Sequence, residues 1–255
     1  MNQSVTKALK LLDFFTEEMK ELTLSELAAK SGMPRPTAYR LLASLEACGF
    51  LTKTKNTDQD VRYRLGLKLL ELGSMVAEQL ELRKIALPWM QELCADINEA
   101  VHLVIRDGDE AVYIEKVESN RAVRLYTRVG KRSELYLGSG PKLLLAYMPE
   151  QERELLFGKM SFKKVTPSTI SDKETLRKEI KKIQSVGYSV SKGEQDYETI
   201  GISYPIYDYT RNVVAVLSVS GPAARLCGEH EEYARKKTKA AAECISKGLG
   251  YTGDF

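Results

Sequence analysis

Hydrophobic positions recur at helical spacing from the start of the chain. Val5, Ala8, Leu9, Leu12 and Phe15 follow the i, i+3, i+4, i+7 pattern and predict a helix with that face buried. Thr23 stands three residues before Glu26, the spacing of a reciprocal N-cap. Leu24, Leu27 and Ala28 give the following short helix its apolar stripe, and Gly32 ends it. Met33 and Pro34 lead into a third helix, with Pro36 tolerated in its first turn because no intrahelical N–H is needed there. Ala38, Leu41, Leu42 and Leu45 form its buried face, which leaves Arg35, Thr37, Tyr39, Arg40 and Ser44 pointing outward. The period then changes to two. Phe50–Lys55 and Val61–Leu65 read as strands around the polar loop Asn56–Asp60, and Arg62 and Arg64 leave one face of that hairpin.

Two helices joined by a short Gly-containing turn make a helix-turn-helix, and a basic β-hairpin after it makes a winged helix. The outward set suits the DNA major groove. Arg donates two hydrogen bonds to guanine, Thr reaches a base edge or a thymine methyl, and Tyr bonds a phosphate. The alternative is an exposed polar face on an ordinary three-helix cluster.

Residues 66–82 form a connector helix with Leu65, Leu69, Leu72, Val76 and Leu80 on one face, widened by Leu67, Leu70 and Met75. A helix apolar on more than one side needs more than one neighbour: its own two domains, or a second copy of the chain. From Arg83 the pattern becomes α/β-like. Met90, Leu93, Cys94 and Ile97 predict a helix starting near Pro88. Ala100–Arg106 and Ala111–Val117 predict strands flanking the hairpin signal Asp107-Gly108, with a further strand at Ala122–Thr127. Helices are expected at Gly140–Met148 and Pro149–Phe157, and from a capping box at Ser171 and Glu174 to Gly187. Strands at Tyr188–Lys192, Ile200–Tyr207 and Val213–Val219 and a terminal helix Glu229–Gly248 complete the reading. Paired strands with helices inserted between them predict an α+β fold with a mainly antiparallel sheet.

Length changes the picture by suggesting about two domains, at ~100–200 residues each. The cuts fall at 1–65 for DNA binding, 66–82 for the linker and 83–255 for the second domain. With 43 % hydrophobic and 29 % charged residues the chain is neither disordered nor collagenous. The net charge of +3 points to no polyanion, yet residues 30–68 carry eight basic side chains against three acidic ones. Charge is thus concentrated on the elements predicted to face DNA. The four cysteines show no CxxC pairing and there are two histidines, so no structural zinc site is expected. The longest apolar stretch, near Leu143–Met148, is far shorter than the ~20 residues of a membrane span. MNQSVTKALKLLDFF carries no secretory leader signature, so the expected location is the cytoplasm.

Candidate chemistry in the second half is sparse. No GxSxG elbow, HExxH, P-loop or dinucleotide fingerprint occurs, and neither an enzyme nor a cofactor is expected. His102 aligns with Ala100 and Val104 as a structural or pocket-lining residue, and His230 lies among glutamates at a helix start. Gly138-Ser139-Gly140 runs straight into a helix, which suits a plain turn or a carboxylate held on backbone N–H groups. Ser218 and Ser220 share one strand face, either as a solvated edge or as paired ligand donors.

LTLSELAAKSGMPRPTAYRLLASLEACGFL, with YRLG at Tyr63–Gly66, resembles the DNA-binding domain of IclR-type bacterial transcriptional regulators. The resemblance implies Arg35, Thr37, Tyr39 and Arg40 as groove contacts, with Ser25 on the preceding helix and Lys53 and Arg62 on the wing. Pro36 departs from the family's frequent Ser or Thr. Val101–Ser119 and Gly187–Leu226 are similar to the family's effector domain. They imply a GAF-like domain with a pocket for a small organic acid, lined by Gly138, Ser139, Gly140, Glu194, Gly201, Ser218 and Ser220. Here the chain has Ser191-Lys192 where an acidic residue is frequent, Gly201 where Cys is frequent, and Pro141 in place of Gly. The implied function is a dimeric or tetrameric DNA-binding regulator, a repressor or else an activator, controlled by a carboxylate-bearing metabolite; the alternative from another class is an enzyme with an accessory nucleic-acid domain.

Overall fold

The computed structural model describes residues 2–16, 18–55, 61–79, 81–122 and 127–253. The chain divides into two compact units, Met1–Gln79 and Leu80–Phe255.

The first unit contains α1 (Gln3–Lys10), a 3-10 turn at Leu12–Phe14, β1 (Leu22–Thr23), α2 (Leu24–Ser31) and α3 (Arg35–Ala47). β2 (Leu51–Lys55), β3 (Val61–Leu65) and α4 (Leu67–Gln79) follow. The capping box forms as expected: Thr23 N–H donates to Glu26 Oε2 at 2.7 Å, and Glu26 N–H donates to Thr23 Oγ1 at 3.2 Å. Gly32 closes α2 in the left-handed region at φ 66°. β1, β3 and β2 form an antiparallel sheet, and Leu11, Leu22, Leu27, Leu42, Leu45, Leu51 and Tyr63 form the core.

One expectation fails in α1. Val5 and Leu9 are exposed, whereas Leu11, absent from the predicted stripe, is fully buried. The helix stops at Lys10 and the chain tightens into the 3-10 turn, which rotates Leu11 into the core. Gly66 explains the YRLG signature. A Cβ there would lie 2.1 Å from the Gly49 carbonyl oxygen, and its N–H donates to Phe50 O at 2.8 Å. The loop Asn56–Asp60 and the side chains of Val76 and Leu80 lie outside the described set.

The second unit is α+β, as the strand pairing predicts. α5 (Glu81–Ile97) precedes the hairpin β4 (Ala100–Asp107) and β5 (Glu110–Val117), and the short β6 (Arg132–Glu134) follows. Three helices come next, α6 (Ser139–Ala146), α7 (Glu150–Lys159) and α8 (Lys173–Val186). β7 (Ser189–Lys192), β8 (Thr199–Tyr207), β9 (Val213–Pro222) and α9 (Glu229–Gly248) complete it. The six strands form one antiparallel sheet in the order β6-β5-β4-β9-β8-β7. One core, with Met90, Leu103, Leu217 and Ile245, joins α5 and α9 to one sheet face. The other, with Val104, Leu143, Ile180 and Val216, joins α6, α7 and α8 to the opposite face.

Two helix starts differ from the sequence reading. Pro88 lies inside α5, not at its beginning. The buried stripe Ala86, Met90, Leu93 and Cys94 runs through it, and that burial outweighs the single intrahelical hydrogen bond a proline removes. α8 is capped by Asp172, whose carboxylate accepts from Thr175 N–H at 2.8 Å, and Ser171 stands one residue too early. A carboxylate at this position also meets the positive end of the helix. The expected strand at Ala122–Thr127 falls mostly on residues outside the described set, and its two end residues are not in a strand.

Candidate functional site

In the first unit the capping box sets where α2 begins, and the Gly32 turn delivers the chain to α3. Arg35, Tyr39 and Arg40 are exposed on α3, Thr37 is half-buried, and Ser25 is exposed on α2. Arg35 and Tyr39 are four residues apart, and Arg40 and Ser44 repeat that spacing. The result is a polar, cationic helix face backed by Ala38, Leu42 and Leu45 in the core. Lys53 on β2 is already engaged. Its ammonium pairs with Glu46 of α3, which raises its pKa, and lies 5.6 Å from the Tyr63 ring centroid. A phosphate approaching Lys53 competes with Glu46. Arg62, opposite Thr23 in the β1–β3 pairing, adds to the Thr23 hydrogen bonds that hold the Glu26 carboxyl below its ordinary value.

In the second unit, strand register gathers residues that are far apart in sequence. Ser189, Ser203, Ser218 and His102 form one row across β7, β8, β9 and β4, and Ser191, Gly201, Ser220 and Ala100 form the next. Ser203 Oγ donates to Ser139 Oγ at 2.8 Å, and the Ser203 and Ser218 hydroxyls are 2.6 Å apart. The first turn of α6 lies directly on these rows, and two glycines permit it. A Cβ at Gly140 would meet Ser218 Oγ at 2.8 Å, and one at Gly201 would meet Ser139 Oγ at 2.6 Å.

These residues line a cavity of about 40 Å³. Gly138, Ser139, Gly140, Gly201, Ser218 and Ser220 all line it, together with His102, Tyr113, Lys131, Ser191, Gln195 and Asp196. Of the latter six, His102 is anticipated as a structural or pocket-lining residue; the other five become recognisable once strand order places β4 and β5 beside β9 and folds the loop after β7 over the opening. His102 is fully enclosed, and burial, reinforced by the charges of Lys116 and Lys131, lowers its pKa to about 3. The ring is therefore neutral near pH 7. Neither ring nitrogen has a hydrogen-bond partner, and the ring meets Tyr113 edge-on at 5.5 Å between centroids. Burial also pushes Tyr113 up to about 12.

Glu194 is not among the lining residues. Its carboxylate binds Lys142 Nζ at 2.6 Å, and Lys142, on α6, is fully buried with a second carboxylate, Glu179, at 3.2 Å. Burial raises the pKa of Glu194 while Lys142 opposes the shift. Thr166 Oγ1 donates to Gly193 O at 2.6 Å and Thr169 Oγ1 to Glu194 O at 2.7 Å. Glu194 thus anchors the loop that carries Gln195 and Asp196. Lys192 is turned to Glu231 at 2.8 Å, and among the described residues Lys131 is the cation that lines the cavity.

A larger cavity of about 780 Å³ lies between the end of α5 and residues 224–234. There Arg225 clamps Glu99 at 2.6 and 2.9 Å, and Tyr233 and Lys237 bind Asp96 at 2.8 and 2.7 Å. Its Glu99 and Asp96 are thus paired, whereas the small cavity keeps an unsatisfied imidazole. Among the described residues no group of three or more His, Cys, Asp or Glu side chains is arranged to hold a metal ion. None of the described helices is long and apolar enough to cross a membrane.

Residues 4–55 match the IclR helix-turn-helix domain, and residues 74–247 match the C-terminal domain of the bacterial transcriptional regulator IclR. The chain is 41 % identical to the HTH-type transcriptional regulator KipR of Bacillus subtilis, with 98 % of each chain covered. Its fold is similar to the crystal structure of the Thermotoga maritima IclR, at 33 % identity and TM-score 0.78, covering 98 % of this chain and 100 % of the other. It is also similar to an IclR homologue from Microbacterium hydrocarbonoxydans complexed with 4-hydroxybenzoate, at 26 % identity and TM-score 0.83, covering 98 % and 100 %. A winged helix-turn-helix with a cationic recognition face, a separate α+β unit and these matches across nearly the full length lead to one assignment: the chain is a DNA-binding transcriptional regulator of the IclR family.

Proposed function

We propose that the chain represses transcription from an operator that it leaves or grips according to whether a small carboxylate-bearing metabolite occupies the cavity beneath α6. The observation that carries this reading is the cavity itself. Backbone N–H groups at the start of α6, the hydroxyls of Ser139 and Ser220, and the Lys131 ammonium are all donors around one space. The likeness to a 4-hydroxybenzoate complex supports an acid as the ligand.

Arg35, Thr37, Tyr39 and Arg40 read the major groove, with Ser25, Lys53 and Arg62 positioning the phosphate backbone. The functional division is DNA binding in 1–65, a linker in 66–82 and effector binding in 83–255. A dimer or tetramer presents paired recognition helices to a palindromic site. Val5, Leu9, Leu67, Leu70 and Met75, all exposed in the first unit, supply apolar surface for a second copy. The setting is the cytoplasm. The ligand shifts operator affinity by binding one arrangement of the assembly better than the other.

A thermal-shift screen against sugar acids, keto acids and aromatic acids tests the effector, because a ligand bound only to the native state raises its apparent stability. Each hit is then titrated against operator DNA. A bound acid that leaves operator affinity unchanged refutes effector control. Arg40→Ala should weaken specific binding by ~1–3 kcal/mol if it reads a base; unchanged operator affinity removes it from the recognition set.

A further inference from the structure

We infer that His102 is an effector contact that selects for a hydroxyl on the bound acid, so that the pocket takes hydroxycarboxylic acids in preference to their deoxy counterparts. The inference rests on the effector reading above and adds to it the residue and the ligand group that residue recognises.

The first observation is an unbalanced donor and acceptor count. His102 is 2 % exposed, lines the cavity, and leaves both Nδ1 and Nε2 without a partner. A neutral imidazole carries one N–H donor and one bare acceptor nitrogen. A buried polar group without a partner costs free energy, and buried groups are overwhelmingly paired in native proteins. The unfilled partners of His102 therefore mark a place that a polar ligand atom completes. Its ring neighbour Tyr113 meets it edge-on without a hydrogen bond.

The second observation is the placement of charge around the cavity. The start of α6, with Ser139, Ser220 and Lys131, supplies donors suited to a carboxylate. The remaining polar lining includes Gln195 and Asp196, and Asp196 accepts hydrogen bonds and repels a second carboxylate. A hydroxyl is the small group that donates to a carboxylate or bare imidazole nitrogen and accepts from an imidazole N–H. A keto group accepts but cannot donate, and a methylene does neither. His102 stands directly across from Ser218 in the β4–β9 register, on the row that Ser139 covers, so an acid held at the start of α6 brings its adjacent substituent to the imidazole.

The test uses full-length protein labelled with 15N in its histidine rings. His102 and His230 are the chain's histidines, and His230→Gln assigns the pair. Matched acids are titrated: acetate with glycolate, propionate with lactate, butyrate with 3-hydroxybutyrate, benzoate with 4-hydroxybenzoate. The expected result is that one hydroxy acid moves the His102 ring nitrogens and binds about tenfold more tightly than its deoxy partner, the effect of one hydrogen bond of roughly 1.4 kcal/mol. His102→Leu should erase that preference, and His102→Asn, which keeps both donor and acceptor capacity, should restore part of it. Circular dichroism of both variants checks the fold. Acids that raise the melting temperature equally with and without the hydroxyl, while the ring signals stay still, overturn the role of His102 and leave effector control standing. A panel in which no acid binds overturns both.

Discussion

Lowering the pH from 7 to 5 should destabilise the second unit through His102 by an amount that can be worked out in advance. The folded pKa is about 3, against 6.5 for a free histidine. The sign follows from proton counts: between those values the unfolded chain binds a proton that the folded chain refuses, so stability falls as pH falls. Below about pH 6 the slope approaches 1.36 kcal/mol per pH unit, and integration from pH 7 to 5 gives about 2 kcal/mol. The assay is urea unfolding of the full chain followed by fluorescence of Trp89, the chain's one tryptophan, which sits on α5 in this unit. With a urea slope of about 1–3 kcal/mol per molar, the His102 share of the midpoint shift is roughly 0.7–2 M. Carboxylates titrate over the same range, so the measured quantity is the difference between wild type and His102→Gln, in which their contributions cancel. A difference that stays flat from pH 7 to 5 would refute the reasoning. It would show that the imidazole takes up its proton in the folded state and that water reaches it.

Three further outcomes test other parts of the structure. Gly66→Ala drives a methyl group against the Gly49 carbonyl and should cost about 3 kcal/mol, at the upper end for overpacking. Operator binding should be lost while the Trp89 unfolding midpoint stays put; a shared shift would show that the two units do not unfold separately. Glu194→Ala leaves Lys142 buried with Glu179 as its nearest carboxylate and should lower the stability of the second unit by ~3–5 kcal/mol, read by the same urea titration. A change below about 1 kcal/mol would mean that Glu179 or water replaces the lost carboxylate without cost. Ser220→Leu should fill the cavity and abolish the thermal shift given by any acid that stabilises the wild type; a surviving shift would put the effector site elsewhere.

Local chemistry was the readable part of the sequence. The Thr23–Glu26 cap, the Gly32 and Gly187 helix ends, the Asp107-Gly108 hairpin and the period-two wing all depend on neighbours within a few residues. What escaped needed distant partners. Pro88 continues a helix because the core on one side of the sheet rewards burial of Met90 and Leu93. Leu11 replaces Val5 and Leu9 in the core because a helix end, set by packing against α3, turns it inward. In the candidate site, the glycines and serines that line the cavity are those the family resemblance implies; spacing by itself leaves them open. Alternation reads His102 as a structural or pocket-lining strand residue, and its place opposite Ser218 depends on β4 pairing with β9 across more than a hundred residues. Glu194 illustrates the reverse error, since its motif position puts it near the pocket and only Lys142 reveals which way it faces.

The separate cores of the two units also bear on how such a regulator diversifies. The winged-helix core, built on Leu11, Leu27, Leu42 and Tyr63, shares no member with the two cores around the six-stranded sheet. A substitution that retunes Arg35 or Tyr39 to a new operator is therefore not constrained by packing beneath the serine rows, and a reshaped pocket leaves the recognition helix supported. Gene duplicates can thus drift along two independent axes, acquiring a new promoter while keeping an old metabolite, or the converse. Grafting one paralogue's first unit onto another's second should accordingly yield working hybrids more often than random fusion would.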